Sequence, residues 1–226
     1  MGPRLDQLIK EGYCLFEDVL SDDLLRRLRV ASDKLLDENE TEHKDTNQGN
    51  LAFMQFQDPA FLDLITWPGA LSVLSRLGFD RPRFWSGFAI AKERGEAPLY
   101  WHQDFMKWQS PEAATPWPTR IFLSYYLTDT TRENGCLRVI PGSHRKRHAL
   151  HDNLPKAHGP EIQAIDDLSH PAFADYFDAV DVRLDAGDLI IADARILHAA
   201  RPNQTDERRT LLLAWHDVFS FPNPPS

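Results

Sequence analysis

The hydrophobic pattern changes character about a third of the way along the chain. Before roughly residue 80, apolar positions recur mostly at helical spacing; after it they form short runs broken by turn residues. Leu5, Leu8 and Ile9 share one helical face ahead of Gly12. Tyr13 to Leu20 reads as a strand, and Ser21 as the N-cap of a helix with Asp22 and Asp23 in its first turn. Leu24, Leu25, Leu28, Ala31, Leu35 and Leu36 give that helix a single apolar stripe. The polar stretch from Asp37 to Asn50 predicts a loop. A further helical stretch runs from Pro59 to about Leu77, interrupted near Pro68-Gly69, with Gly78 as its stop.

Strand character then takes over. Arg83 to Lys92, Leu99 to Asp104, Arg120 to Leu127, Leu137 to Ile140, Val180 to Leu184, Asp188 to Ala192 and Arg209 to Phe219 are rich in aromatic and aliphatic residues. Turn residues such as Glu93-Arg94-Gly95, Glu133-Asn134-Gly135, Pro141-Gly142-Ser143 and Ala186-Gly187 separate them. This order predicts a mainly β fold with flanking helices, built on a double-stranded β-helix (a cupin-like jelly roll). One domain over residues 1–226 is expected, with helices to about residue 80 and the jelly-roll core from about 81 to 220. The less regular stretch from Ala157 to Asp178 is placed over the barrel mouth.

Composition narrows the class. Hydrophobic residues at 42% and charged residues at 26% suit a soluble globular chain of 226 residues. A formal net charge of −9 argues against a general nucleic-acid partner. No apolar run is long enough to span a bilayer and the N-terminus lacks a signal-peptide core, so no membrane partner and a cytoplasmic location are expected. A monomer is the expected state. Cys14 and Cys136 each sit in an apolar run and read as buried free thiols.

The candidate chemistry lies in the second half. His102-Gln103-Asp104 places an imidazole and a carboxylate two residues apart, on one face of a strand, with Gln103 pointing away. His43-Lys44-Asp45 repeats the spacing, but in a polar run where solvated side chains are the default. His198 stands between Leu197 and Ala199, where a lone histidine reads either as a ligand or as a hydrogen-bonded core residue. Arg209 ends a charged turn and opens the buried run Thr210 to Trp215. Two imidazoles and one carboxylate occupy one face of an octahedral metal and leave the other positions open, the ligand set of non-haem Fe(II) oxygenases. An arginine can hold a co-substrate carboxylate through two parallel hydrogen bonds. The pattern reads as an iron enzyme that uses 2-oxoglutarate. Two other readings compete: a jelly roll that binds a metal or ligand without turnover, and a zinc hydrolase. The second gives Arg209 no role.

The order H-x-D, His, Arg resembles the phytanoyl-CoA dioxygenase family of Fe(II)/2-oxoglutarate oxygenases. Asn134-Gly135-Cys136-Leu137, running on to Pro141-Gly142-Ser143-His144, is similar to that family's N-G-x-L…P-G-[ST]-H segment. Gly187-Asp188, His198, Asn203 and Arg209 match its G-D…H…N…R arrangement, and Glu11-Gly12-Tyr13 with Asp18-Val19-Leu20-Ser21 its usual opening. The resemblance implies Fe(II) on His102, Asp104 and His198, and 2-oxoglutarate salt-bridged by Arg209. Dioxygen would then oxidise a small-molecule substrate, usually by hydroxylation, with release of succinate and carbon dioxide. Trp101-His102-Gln103-Asp104-Phe105-Met106-Lys107-Trp108 is also similar to a segment of ectoine hydroxylases, which implies that Trp108 lies near the co-substrate. Met106-Lys107 departs from that subfamily, so ectoine is not implied as substrate. Ala200 stands where many relatives carry a serine that helps hold the co-substrate, and Ser124 or Tyr126 is the expected replacement.

Two surface features bear on the substrate. Arg138, Arg145, Lys146, Arg147 and His148 form a basic cluster, read either as capture of an anionic group or as a solvated loop. Trp85, Trp101, Trp108 and Trp117 are candidates for the pocket mouth, or for the core.

Overall fold

The computed structural model describes residues 2–38, 49–105 and 114–218. Helix α1 (Pro3–Glu11) leads into strand β1 (Tyr13–Phe16) through Gly12, whose φ of +89° ends the helix. A side chain there would also meet the His144 ring, with Cβ 2.6 Å from Nδ1. The expected strand to Leu20 stops at Phe16 because Asp18 takes a left-handed φ of +51° and donates its backbone N–H to Asp188 Oδ1. Helix α2 (Asp22–Glu38) follows, its Leu24 N–H capped by Ser21 Oγ. It runs to the edge of the expected Asp37–Asn50 loop, and strand β2 (Asn50–Phe53) begins at that loop's last residue. The second H-x-D, at His43, lies outside the described residues. Helices α3 (Pro59–Ile65) and α4 (Pro68–Arg76) split at the expected point, and Gly78 turns the chain at a φ of +82°.

The remaining strands are β3 (Arg83–Lys92), β4 (Leu99–His102), β5 (Arg120–Tyr126), β6 (Leu137–Val139), β7 (Val180–Val182), β8 (Leu189–Asp193), β9 (His198–Ala200) and β10 (Arg209–Asp217). They form two antiparallel sheets, a six-stranded β1-β8-β5-β10-β3-β2 and a four-stranded β4-β9-β6-β7, the jelly roll that the alternation of short apolar runs predicts. Short helix α5 (Leu150–Asn153) precedes the irregular stretch, which holds short helix α6 (Pro160–Gln163) and a 3-10 turn at Pro171–Phe173.

The large sheet is apolar on both faces, which is why β5 reads as a continuous run rather than an alternation. Ile121, Leu123 and Tyr125 face the helices, joining Leu24, Leu28 and Leu36 of α2 in one core. Phe122 and Tyr126 face the other way, with Ile190, Leu211 and Trp215, toward the space between the sheets. Burial of each fully enclosed leucine contributes roughly 2 kcal/mol, so the helical layer anchors the sheet on which the inner face is built. Both cysteines are buried and free, as expected.

Candidate metal centre

β4 and β9 are neighbours in the small sheet, and their register sets His102 directly opposite His198. Each ring engages a carbonyl of its own chain segment: His102 Nδ1 lies 2.9 Å from Tyr100 O, and His198 Nδ1 3.0 Å from Ile196 O. A carbonyl can only accept, so both rings hold a proton on Nδ1, which leaves Nε2 as the atom each can offer a metal. Asp104 lies just past the end of β4, not within the strand as expected. Its N–H and that of Phe105 both reach Ala194 O, at 3.0 and 2.9 Å, which bends the chain out of the ladder. The side chains converge nonetheless. Asp104 Oδ1 is 3.6 Å from His102 Nε2, and Oδ2 is 3.3 Å from His198 Nε2. Gln103 points the other way, to Arg195 O.

A third imidazole completes the cluster. His158, from the irregular stretch, brings Nε2 to 3.3 Å from Asp104 Oδ1 and Nδ1 to 3.1 Å from the Tyr100 hydroxyl. The ligand-type atoms of His102, Asp104 and His158 all lie within 4.8 Å of one another. Sequence reasoning missed His158, which stands 54 residues from its partner in a segment with no periodicity. Burial would raise the Asp104 carboxyl, but the imidazoles of His198, His158 and His102 reverse this and hold it well below the carboxylate range. Burial, reinforced by His198 and His158, keeps His102 well below the ordinary histidine range. His198 shifts the other way: burial lowers it, but the Asp104 carboxylate outweighs burial and raises it, so a metal binding there displaces a proton from His198.

These residues face a cavity of about 410 Å³ between the sheets. Its floor is laid out by the registers of β3, β10 and β5. Lys92 lies beside Arg209, then Ile90, Leu211 and Tyr126 form a row, then Phe88, Leu213 and Ser124, then Trp215 beside Phe122, and last Arg120 opposite Asp217. A bulge between Trp215 and His216 leaves Trp85 unpaired and on the cavity wall. The Arg209 end is charged and closed. Arg209 is buried, its Nε–H has no partner, and the Tyr126 hydroxyl beside it has none. Burial lowers Arg209 and raises Tyr126 to about 12, so the first remains a cation and the second a neutral donor near pH 7. Lys92 Nζ donates to Ala97 O at 2.7 Å and lies 3.8 Å from Glu96 Oε1. Two orphaned donors at the blind end of a cavity fit a carboxylate.

Residues 9–211 match the family model of phytanoyl-CoA dioxygenase (PhyH). The chain belongs to the phytanoyl-CoA dioxygenase family. It is 27% identical over 237 residues to the ectoine dioxygenase of Nocardia farcinica, covering 95% of this chain and 77% of that protein. It is 24% identical over 245 residues to the L-proline trans-4-hydroxylase of Streptomyces griseoviridis, covering 99% and 90%. Among solved structures, the non-haem α-ketoglutarate-dependent carbocyclase SnoK from nogalamycin biosynthesis superimposes with a TM-score of 0.70 at 21% identity, over 96% of this chain and 83% of that one, a likeness of fold.

The structure gives the family's motif residues physical work. Ser143 Oγ, in Pro141-Gly142-Ser143-His144, accepts the Leu197 N–H at 2.9 Å, one residue before His198. Gly135 takes a φ of +92° under Lys92, whose Cδ would sit 2.5 Å from an added Cβ. Asn203 shapes the turn before Arg209, donating to Lys92 O and Glu207 O and accepting from Thr205. Asp188 caps two turns, at Asp18 and Asp185. The buried Arg195–Asp193 pair, which the sequence did not single out, ties the β8–β9 connection to Thr115 O and Trp117 O.

The basic cluster divides: Arg145, Lys146 and Arg147 are exposed, as the solvated-loop reading expects, while Arg138 is not part of that surface. Arg138 is buried over Trp101, paired with Asp175 and Asp181, while Arg145 reaches Ile9 O and Arg147 pairs with Asp152. None of its residues lines the cavity. Of the tryptophans, Trp85 does; Trp101 is core, its indole N–H on Ala174 O, and Trp117 packs against the helical core. Trp108 lies outside the described residues.

Among the described residues, no helix is long and apolar enough to cross a membrane.

Proposed function

We propose that the whole chain works as one domain, an Fe(II)- and 2-oxoglutarate-dependent oxygenase of a small molecule, with His102, Asp104 and His198 as its metal ligands. The observation that carries this is the pair of histidines facing each other across β4 and β9, both with Nε2 turned onto one ionised carboxylate. His158 is the less suitable third ligand. It comes from a loop, its side chain is 40% exposed, and its Nδ1 is committed to Tyr100. Its role is to donate Nε2–H to the carboxylate oxygen that the metal does not take, and so to fix the orientation of Asp104.

Iron with 2-oxoglutarate and dioxygen supplies the oxidising power, with succinate and carbon dioxide released. The chain does the rest. Arg209 and Tyr126 receive the distal carboxylate of 2-oxoglutarate at the blind end, and Tyr126, with its unpartnered hydroxyl, takes the place of the serine missing at Ala200. Lys92 adds a second positive charge there. The apolar walls between Ile90 and Trp215 keep water from the reacting centre. A turnover assay tests the reading. Succinate should form from 2-oxoglutarate with Fe(II) and not with Zn(II), and hydrolase activity with Zn(II) alone would overturn it.

A further inference from the structure

The cavity's functional groups specify the polarity of the substrate. With the blind end given to 2-oxoglutarate, the part left for a substrate lies between the metal ligands and Arg120. Its walls are Trp85, Phe88, Phe122, Leu213 and Trp215. Apart from the Ser124 hydroxyl, which can donate or accept, its polar groups away from the metal ligands are donors. The Trp215 indole N–H is buried, with the residue only 8% exposed, and has no partner. The Arg120 guanidinium lies 4.5 Å from the ring centroid of Trp85, held there by Asp217, which accepts its Nε–H at 2.7 Å. Among the described residues, the lining carboxylates are Asp104, committed to the metal, and Glu96, paired with Lys92 at the other end. Among the described residues at this end, the one carboxylate beside the cavity is Asp217, and it is engaged by Arg120. An unpaired buried donor is costly, so the site favours molecules that bring acceptors to it.

Resting on the oxygenase reading, we propose that the substrate is an apolar, ring-sized molecule whose polar end is a carboxylate or comparable acceptor. That end is held by Arg120 and the Trp215 N–H, and the body lies between Trp85 and Phe88, beneath the metal ligands. The described lining offers a zwitterionic amino-acid-like compound no free carboxylate for its ammonium group, so such compounds should bind more weakly. The cavity of about 410 Å³ must hold co-substrate and substrate together, which limits the body to about two fused rings.

The test compares two isosteres of opposite charge, naphthalene-2-carboxylate and 2-naphthylmethylammonium, by calorimetric titration of the anaerobic Fe(II)/2-oxoglutarate-loaded protein. L-proline and ectoine are titrated alongside. Because Asp217 offsets part of the Arg120 charge, the expected preference for the carboxylate is about tenfold rather than a thousandfold. Arg120→Gln should erase that preference. Trp85→Leu, at a residue 59% exposed and therefore safe for folding, should weaken both probes alike. Equal or tighter binding of the ammonium probe, tighter binding of L-proline or ectoine, or no saturable binding of either naphthyl probe would overturn the proposal. The visible 2-oxoglutarate chelate band is recorded in the same samples. Its absence, with the carboxylate still preferred, sinks the oxygenase reading while the substrate class stands.

Discussion

Replacing His158 tests whether the irregular stretch reaches into the metal centre. Its Nε2–H meets Asp104 Oδ1 at 3.3 Å while Tyr100, fully buried under Ile162 and Ala172, holds its Nδ1. A hydrogen bond to a charged group is worth about 1.5–3 kcal/mol. The 3.3 Å length and the 40% exposure of His158 place this one at the low end. About 1.5 kcal/mol is roughly a tenfold change in a binding constant. His158→Ala should therefore weaken Fe(II) retention about tenfold, read by anaerobic competition against a chromogenic chelator. His158→Gln, whose amide N–H sits near the position of Nε2, should recover most of the loss. His158 occupies a left-handed φ of +56°, so both variants carry a similar backbone cost and their difference isolates the hydrogen bond. The 2-oxoglutarate chelate band should keep its position in both, because His158 is not a ligand. Unchanged Fe(II) affinity in His158→Ala, or equal losses in the two variants, would refute the argument; a shifted band would make His158 a ligand instead.

Other consequences are open to measurement. Ser143→Ala leaves the buried Leu197 N–H without an acceptor, so the protein should lose about 1–3 kcal/mol in denaturant unfolding. Fe(II) affinity should fall as well, since the next residue is His198. Burial lowers Lys92 to about 8, with Glu96 opposing and Arg209 adding to the shift. Binding a dianion raises that pKa, so 2-oxoglutarate affinity should be full below about pH 8 and fall as pH rises above it, by up to about tenfold per unit. In Lys92→Met this pH dependence should vanish. Burial holds His216 near 4, against an ordinary 6.5, so the unfolded state takes up its proton first as pH falls. Stability should drop progressively from about pH 6.5 to 4, by about 3 kcal/mol in total, and His216→Phe should flatten that part of the profile in thermal melts.

The parts of the architecture legible in the sequence were those with one dominant period. β3 occupies Arg83–Lys92 as the aromatic-aliphatic run predicts, and α2 carries its stripe from a Ser21 cap. His102, Asp104 and His198 converge, and Arg209 does open a buried strand facing the same cavity. What escaped depends on distant partners. β9 has only three residues and exists because β4 and β6 flank it, and β2 exists because β3 pairs with it. Asp104 leaves the strand because Ala194 O captures two successive amides, something spacing cannot reveal. Arg138 looked like one more charge in a basic run, yet its position on β6 buries it against Asp175 and Asp181. Lys92 reads locally as the end of a strand, and only its register opposite Arg209 makes it part of a binding site.

The central claim is that Arg209 and the His102–Asp104–His198 set act on one bound 2-oxoglutarate. Titrating the anaerobic protein with Fe(II) and then 2-oxoglutarate, while watching the visible metal-to-ligand charge-transfer band, tests it most directly. The account predicts a saturable band that is lost in His198→Ala. In Arg209→Leu the band should return only at concentrations at least tenfold higher, the loss of a charge-assisted pair being worth about 1.5–3 kcal/mol. Fe(II) binding without any band in the wild-type protein, or a band indifferent to both substitutions, would contradict it.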